Sequence, residues 1–84
     1  MKNGVCGSLE SNDCLITVES SETTEIIIES IVYDFYGDQI ERVIADTLKQ
    51  LNISNVKVFC VDRGALDYTI KARLQVAIER MSAK

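Results

Sequence analysis

The chain has no histidine among its 84 residues, no tryptophan and no proline. Without histidine, the serine–histidine and cysteine–histidine pairs that activate many nucleophiles cannot form within this chain. Its three cysteines, Cys6, Cys14 and Cys60, are an odd number without a CxxC spacing, which argues against a disulfide framework and a zinc site. Cys14 and Cys60 fall on strand-like patterns where a thiol serves as a small apolar side chain, and we expect Cys6 to be exposed.

Long apolar runs are also missing. The densest run, Ile26–Ile28, is closed by Glu29 and falls far short of the roughly 20 apolar residues that span a bilayer. The N-terminal MKNG is not followed by the apolar segment of a signal peptide. Because proline, low-complexity linkers and internal repeats are absent, nothing indicates a domain boundary. We therefore expect a single cytoplasmic domain over residues 1–84, with no membrane partner and no metal site.

Charge is unevenly distributed along the chain, although the total is only −4. Residues 1–41 carry nine acids against one base, whereas residues 42–84 carry eight bases against four acids. The acidic half argues against a nucleic-acid partner, which would need a basic surface. One interpretation is a solvated surface of mixed charge. The alternative is an acidic face that attracts basic partner proteins.

Two segments in the first half of the chain show the patterns of strands. CLITVE, residues 14–19, alternates with period two, and EIIIES, residues 25–30, is a short run rich in β-branched side chains. The short linker between them favours a hairpin. Both faces of NVKVFCV, residues 55–61, carry apolar groups, which predicts a third strand in a central or covered position.

Two segments have the period of amphipathic helices. The first is expected to begin at Asp38, or as early as Tyr33, and to end near Asn52, which tolerates a left-handed cap. Its apolar stripe comprises Ile40, Val43, Ile44, Thr47, Leu48 and Leu51. The second follows Asp62 as N-cap and Gly64 as turn residue. Its apolar face comprises Leu66, Ile70, Leu74, Ala77, Ile78 and Met81.

The element order β-β-α-β-α predicts an α+β fold of two layers. In it, a three-stranded sheet is covered on one face by two helices. Residues 1–13 are expected to form a mobile leader. The end of this leader reads GSLESND, and its Gly, Ser, Asn and Asp residues are typical of a turn. The alternative for Ser11 is an exposed hydroxyl that another enzyme modifies covalently.

Three segments, in this order and spacing, resemble the acyl carrier protein of citrate lyase, its gamma chain. They are GSLESND near the start, YDFYGDQIERVI at the first helix and VDRGALDYTIKARLQVAIER at the end. The similarity runs from about Val5 to Arg80, and GSLES, DRGALD and KAR are its most specific parts. We interpret GALD, residues 64–67, first as a strand-to-helix turn and second as an element that docks a partner.

The resemblance implies a carrier and not an enzyme. In that family the serine of the LES motif, here Ser11, bears a phosphoribosyl-dephospho-CoA arm through a phosphodiester bond. The arm derives from 2′-(5″-triphosphoribosyl)-3′-dephospho-CoA, a holo-carrier synthase attaches it, and a ligase acetylates its thiol. The alpha subunit, a transferase, exchanges acetyl for citryl, and the beta subunit, a lyase, cleaves the citryl thioester. The resemblance implies that this chain shuttles the thioesters between these two subunits.

Alternatives to this function and site remain open. The carrier subunit of malonate decarboxylase uses the same type of arm on a similar small protein, although the LES and GALD segments favour citrate lyase. A non-catalytic adaptor would bind a protein through the acidic half and carry no arm. Ser8, three residues before Ser11, is the alternative attachment point, at a position where the family departs from this sequence.

Overall fold

The computed structural model of the chain describes residues 2–83, which form four strands and two helices. In chain order the elements are β1 (Asn3–Gly7), β2 (Cys14–Ser20), β3 (Glu25–Ser30), α1 (Tyr33–Gln50), β4 (Val56–Asp62) and α2 (Asp67–Ser82). Met1 and Lys84, the two ends of the domain expected over residues 1–84, lie outside the described residues. The α+β class is confirmed, whereas the element order is β-β-β-α-β-α rather than β-β-α-β-α.

The sheet has four strands in the order β1-β2-β4-β3, so the expected three-stranded sheet is wrong by one strand. β2 runs antiparallel to both β1 and β4, whereas β3 runs parallel to β4. The hairpin expected between β2 and β3 is also wrong, because β4 lies between them and pairs with both. A strand that is apolar on both faces suits this central position, and α1 supplies the crossover that two parallel strands require.

The additional strand, β1, lies within the segment expected to be a mobile leader, residues 1–13, and that expectation is wrong for residues 3–7. Pairing with β2 satisfies those backbone groups of β1 that face β2. α2 packs closely over this strand, because a Cβ at Gly4 would collide with the Ala77 carbonyl and come within 2.5 Å of the Met81 nitrogen. Cys6 lies under the same helix and is only 7% exposed, which corrects the expectation of an exposed thiol.

Both helices cover the same face of the sheet, as expected. α2 lies over β1 and β2, and α1 packs beside it over β3. The alternating residues of the strands that face the helices form one core with the apolar helix stripes. Its fully buried members include Ile16, Val18, Ile44, Val58, Ile70 and Leu74. The opposite face of the sheet carries the half-buried and exposed residues of the same strands.

α1 confirms the predicted apolar stripe over most of its length. Ile40 and Leu48 are buried, whereas Leu51, just beyond the last turn, is 38% exposed. The predicted end of the helix is confirmed, since Asn52 has a φ of 55°. Ile53 donates its backbone N–H to the Leu48 carbonyl at 2.9 Å, which completes a left-handed cap.

The start of α2 differs from the prediction. Leu66 occupies the N-cap position with extended backbone and no capping side-chain bond. Asp62, expected as the cap, is the buried last residue of β4. It accepts hydrogen bonds from the Ala65 N–H at 2.9 Å and the Ser30 hydroxyl at 2.8 Å. Leu66 is 59% exposed and is therefore not part of the buried face, which begins at Ile70.

Candidate functional site

Ser11 lies in the loop of residues 8–13, which connects β1 to β2 as a hairpin. A turn is closed where the Asp13 N–H donates to the Glu10 carbonyl at 3.2 Å, and Asn12 has a φ of 65°. A positive φ at the third position is the requirement of a type II turn, and asparagine tolerates it. Ser11 takes the exposed second position, and its hydroxyl makes no hydrogen bond within the described part of the chain.

Asp13 ties the loop to α2. Its carboxylate accepts hydrogen bonds from Arg73 Nε at 3.0 Å and Nη2 at 3.2 Å, from the Ser8 hydroxyl at 2.8 Å and from the Cys14 N–H at 2.7 Å. The bond from Arg73, followed by those from Ser8 and Cys14, lowers the pKa of Asp13 to about 2. The carboxylate therefore stays ionised at neutral pH and keeps its donors in place.

The end of β4 holds the loop from the other side. The Asn12 N–H donates to the Arg63 carbonyl at 2.8 Å, and the Arg63 N–H donates to the Asp13 carbonyl at 2.9 Å. These two bonds join Arg63 to two successive loop residues, one step beyond Cys14 and Asp62, the last register pair of β2 and β4. Ser11 is therefore presented by a backbone that is fixed on both sides.

Ser8, the alternative attachment point, has a different environment from Ser11. Its hydroxyl donates to Asp13 at 2.8 Å and accepts the Glu10 N–H at 3.2 Å. The residue is half-buried. A hydroxyl with both roles taken supports the shape of the loop and is poorly placed to react with another molecule.

Two of the three segments that carry the family resemblance, GSLESND and VDRGALDYTIKARLQVAIER, meet at this loop. Asp13 belongs to GSLESND, Arg63 to DRGALD and Arg73 to KAR. The sequence patterns predicted no role for Arg63 or Arg73, although both contact the loop. Asp13 and Arg73 lie 60 positions apart, so no local periodicity indicates their contact. The joint occurrence of these two segments was the signal that could have suggested it.

Exposed large apolar side chains concentrate at the end of the molecule that bears this loop. The connections from β3 to α1 and from β4 to α2 lie here, because Cys14 and Ser30 are both register partners of Asp62. The apolar end, as we call this set, comprises Leu9, Ile31, Phe35, Tyr36, Leu66 and Tyr68. Phe35 is 85% exposed and Tyr68 is 72% exposed. Apolar groups clustered in this way mark a surface that contacts another molecule.

A groove of about 600 Å³ opens between the starts of α1 and α2. We call it the helix-start groove. Its lining residues include Val32, Tyr36, Gln39, Leu66, Asp67 and Tyr68. Across it, Gln39 Nε2 donates to both carboxylate oxygens of Asp67, at 3.1 and 2.9 Å. The groove thus combines aromatic and aliphatic walls with one polar pair.

The three cysteine thiols lie in the interior of the protein, although Cys14 directly follows the loop. All three are buried free thiols. The hydrogen bond with Cys14, together with burial, raises the pKa of the Cys60 thiol, which therefore stays protonated. Over residues 2–83 no cluster of three or more potential metal-ligating residues occurs. Neither of the two described helices combines the length and apolar character needed to cross a membrane.

Comparisons with known proteins identify relatives over the whole length of the chain. A family model described as malonate decarboxylase delta subunit (MdcD), an acyl carrier protein family, matches residues 1–81. The citrate lyase acyl carrier protein of Treponema denticola is 41% identical over 83 residues, which cover 99% of this chain and 95% of that protein. The citrate lyase acyl carrier protein of Streptococcus mutans is 46% identical over 81 residues, covering 94% and 79%.

A solved structure shares the fold. A chain in the crystal structure of a Pseudomonas malonate decarboxylase hetero-tetramer in complex with malonate superimposes with a TM-score of 0.81, covering 96% of this chain and 84% of its own length. The sequences are 14% identical, so this likeness concerns the fold alone. The identities of 41% and 46% to named carrier proteins go further. On those identities, the chain belongs to the family of citrate lyase acyl carrier proteins.

Proposed function

We propose that the chain is the acyl carrier subunit of citrate lyase and that Ser11 is the attachment site of its phosphoribosyl-dephospho-CoA arm. The observation that carries the site is the contrast between two serines of one loop. Ser11 is exposed with an unbonded hydroxyl, whereas Ser8 is held by Asp13 and Glu10. The arm supplies a thiol that carries acetyl and citryl groups as thioesters.

The residues around Ser11 fit a phosphodiester. Arg63, whose backbone pairs with Asn12 and Asp13 of the turn, has a buried Nε without an acceptor among the described residues. Arg73, on α2, contacts the loop through Asp13, and its side chain is 39% exposed. Both arginines contact the loop, Arg63 by its backbone and Arg73 by its guanidinium, and their positive charges offset the negative charge that a phosphodiester adds. The unbonded hydroxyl of Ser11 requires no structural bond to be broken before it reacts.

Attachment at Ser11 is a phosphoryl transfer in which this chain supplies only the nucleophile. The Ser11 oxygen forms a bond to the phosphorus of the triphosphoribosyl donor, and pyrophosphate leaves. The hydroxyl proton passes to a base of the holo-carrier synthase, because this chain contains no histidine to accept it. The serine must therefore enter the active site of that enzyme, which its exposed position at the tip of a hairpin allows.

The carrier role requires a fixed base and a long tether. Attachment to a rigid hairpin tip keeps the thiol within reach of the alpha (transferase) and beta (lyase) subunits, as well as the acetylating ligase. Tethering raises the effective concentration of the acyl group at each of these sites without a binding step. The apolar end beside Ser11 offers the surface on which such partners would dock.

The site is tested by weighing intact protein after co-expression with the holo-carrier synthase. We expect wild type and Ser8→Ala to gain the mass of the arm, and Ser11→Ala to gain nothing while keeping its unfolding temperature. Ser8→Ala should lose about 1–3 kcal/mol of stability, because it removes a hydrogen bond to an ionised carboxylate. An arm mapped to Ser8 in the Ser11→Ala protein would contradict the assignment.

A second candidate is the carrier subunit of malonate decarboxylase. The description of the matching family model and the shared fold with a chain of the Pseudomonas hetero-tetramer favour it. Reconstitution separates the two candidates. The loaded chain should restore citrate cleavage with citrate lyase alpha and beta subunits and should not restore malonate decarboxylation with the subunits of that enzyme. A chain that takes no arm from the arm-attaching enzyme of citrate lyase or from that of malonate decarboxylase would instead act as a protein-binding adaptor.

A further inference from the structure

We propose that the helix-start groove binds the adenine ring of the arm attached to Ser11, so that the carrier holds the base of its own prosthetic group between reactions. The inference rests on the proposed attachment at Ser11. It adds a second, non-covalent site on the chain, formed by the first turns of α1 and α2.

The groove lies next to the loop of residues 8–13, which bears Ser11. Gly64, one of its lining residues, has a φ of 93°, and a Cβ built on it would lie 3.6 Å from Asn12 Oδ1. Asn12 directly follows Ser11. A group linked to Ser11 through a phosphate and a ribose therefore starts at the mouth of the groove and needs no extended chain to enter it.

The lining of the groove suits a flat, neutral heteroaromatic ring. Tyr36 and Tyr68 both line the groove and are both more than half exposed, so their rings are accessible to a ligand. Aromatic faces of this kind stack on nucleobases whatever the base. Beside them, Gln39 and Asp67 present an amide and a carboxylate. The carboxylate can accept a hydrogen bond from the exocyclic amine of adenine, and the amide oxygen offers a second acceptor.

The charges of the surrounding residues favour different positions for the base and for the phosphates of the arm. The residues that line the groove include Asp62 and Asp67 but neither lysine nor arginine. An uncharged base is therefore compatible with the groove, whereas a phosphate would be repelled. Arg63 and Arg73 lie at the loop, where the phosphates of an arm on Ser11 begin. A volume of about 600 Å³ is within the range of roughly 300–1,000 Å³ that is typical of small-molecule sites.

Covalent attachment makes even weak stacking effective. A short tether provides an effective concentration on the order of millimolar, so a base with millimolar affinity for the groove is bound about half of the time. The pantetheine portion lies beyond the pyrophosphate and stays free when the base is bound. Binding of the base thus shortens the mobile part of the arm without hiding its thiol.

The experiment compares amide NMR spectra of the chain before and after loading, with intact mass as the check of attachment. In the loaded wild type we expect shifted signals at Gln39, Gly64 and Ala65. Tyr68→Ala should lose more than half of these shifts and Tyr68→Phe should keep them, because stacking needs the ring and not its hydroxyl. Phe35→Ala is the matched control, since Phe35 is an exposed aromatic on α1 outside the groove.

The outcomes separate this inference from the proposed function. A chain that gains no arm would overturn both. A loaded chain whose groove signals do not move, or move equally in Tyr68→Ala, would overturn the groove and leave Ser11 as the attachment site. Groove shifts that appear only after catalytic subunits are added would assign the groove to a partner protein. Groove shifts in the unloaded chain that grow with protein concentration would assign it to a second copy.

Discussion

The two serines of the hairpin loop differ in what surrounds their hydroxyls, although three positions separate them. Turn-forming residues act locally, so the polar run GSLESND predicts an exposed turn, and the structure has one at Glu10–Asp13. The ion pair between Asp13 and Arg73 could not be predicted in the same way, because it depends on how α2 packs against β1 and β2. The hydrogen bond of the Ser8 hydroxyl depends on the position of Asp13, so it could not be predicted from local sequence either.

The depressed pKa of Asp13 predicts how stability depends on pH. Because folding lowers this pKa to about 2 from an ordinary value of 3.8, the stabilisation is complete above about pH 4 and is lost as pH falls towards 2. Asp13→Asn should therefore be less stable than wild type at pH 7, and the difference should shrink below pH 4. Urea unfolding at a series of pH values measures it.

The control for this titration is Asp46→Asn, which changes an exposed carboxylate on α1. It should alter stability by no more than about 0.5 kcal/mol at pH 7. A difference between wild type and Asp13→Asn that is the same at pH 2.5 and pH 7 would mean that the ionised carboxylate does not stabilise the loop.

At the scale of elements, local patterns predict α1 and fail for β1. The stripe of α1 repeats every three to four residues, so it indicates both the helix and its buried face. β1 has the sequence NGVCG, in which Gly4 is required by contact with α2 and Gly7 by a φ of 107°. The first reason is a tertiary contact and the second is a backbone conformation, and neither leaves a periodic signal in the sequence. The position of β4 between β2 and β3 is likewise a property of the assembled sheet.

The close approach of α2 to β1 predicts that Gly4→Ala is strongly destabilising. The new methyl group would meet helix backbone at Ala77 and Met81, which cannot rotate away as a side chain could. We expect a loss of about 1–3 kcal/mol or more in the free energy of unfolding, measured by urea denaturation. Val5→Ala is the control, because Val5 is on the same strand and 43% exposed. A Gly4→Ala variant as stable as Val5→Ala would mean that β1 is not packed under α2.

The buried face of α1 is tested by two adjacent residues. Leu48 is 3% exposed, whereas Lys49 is on the exposed side of the helix. Leu48→Ala should cost about 2–5 kcal/mol, because it removes a buried side chain and leaves a cavity. Lys49→Ala should change stability by no more than about 0.5 kcal/mol. Equal losses in thermal or urea unfolding would contradict this orientation of α1.

At the scale of the whole molecule, the fold gathers distant parts of the chain at one end. The loop of residues 8–13, the helix-start groove and the apolar end all lie where β2 begins and β3 and β4 finish. Part of the acidic charge of residues 1–41 lies near this end, because Asp38 and Glu41 are exposed in the second and third turns of α1. Glu22 and Glu25 are equally exposed but lie at the opposite end, where Glu25 is the register partner of Lys57.

This separation allows charge steering to be tested at constant net charge. If catalytic subunits approach the end that bears Ser11, Asp38→Asn with Glu41→Gln should slow association roughly two- to fivefold at low salt, because complementary potentials steer encounter. Glu22→Gln with Glu25→Gln removes the same charge from the far end and should have a much smaller effect.

Association rates of the loaded carrier with the alpha and beta subunits, measured by stopped flow from about 20 to 500 mM salt, give the comparison. The difference should vanish at high salt, where the Debye length falls to a few ångströms. Equal slowing by the two double variants would indicate that only net charge matters and that the acidic part of α1 does not guide docking.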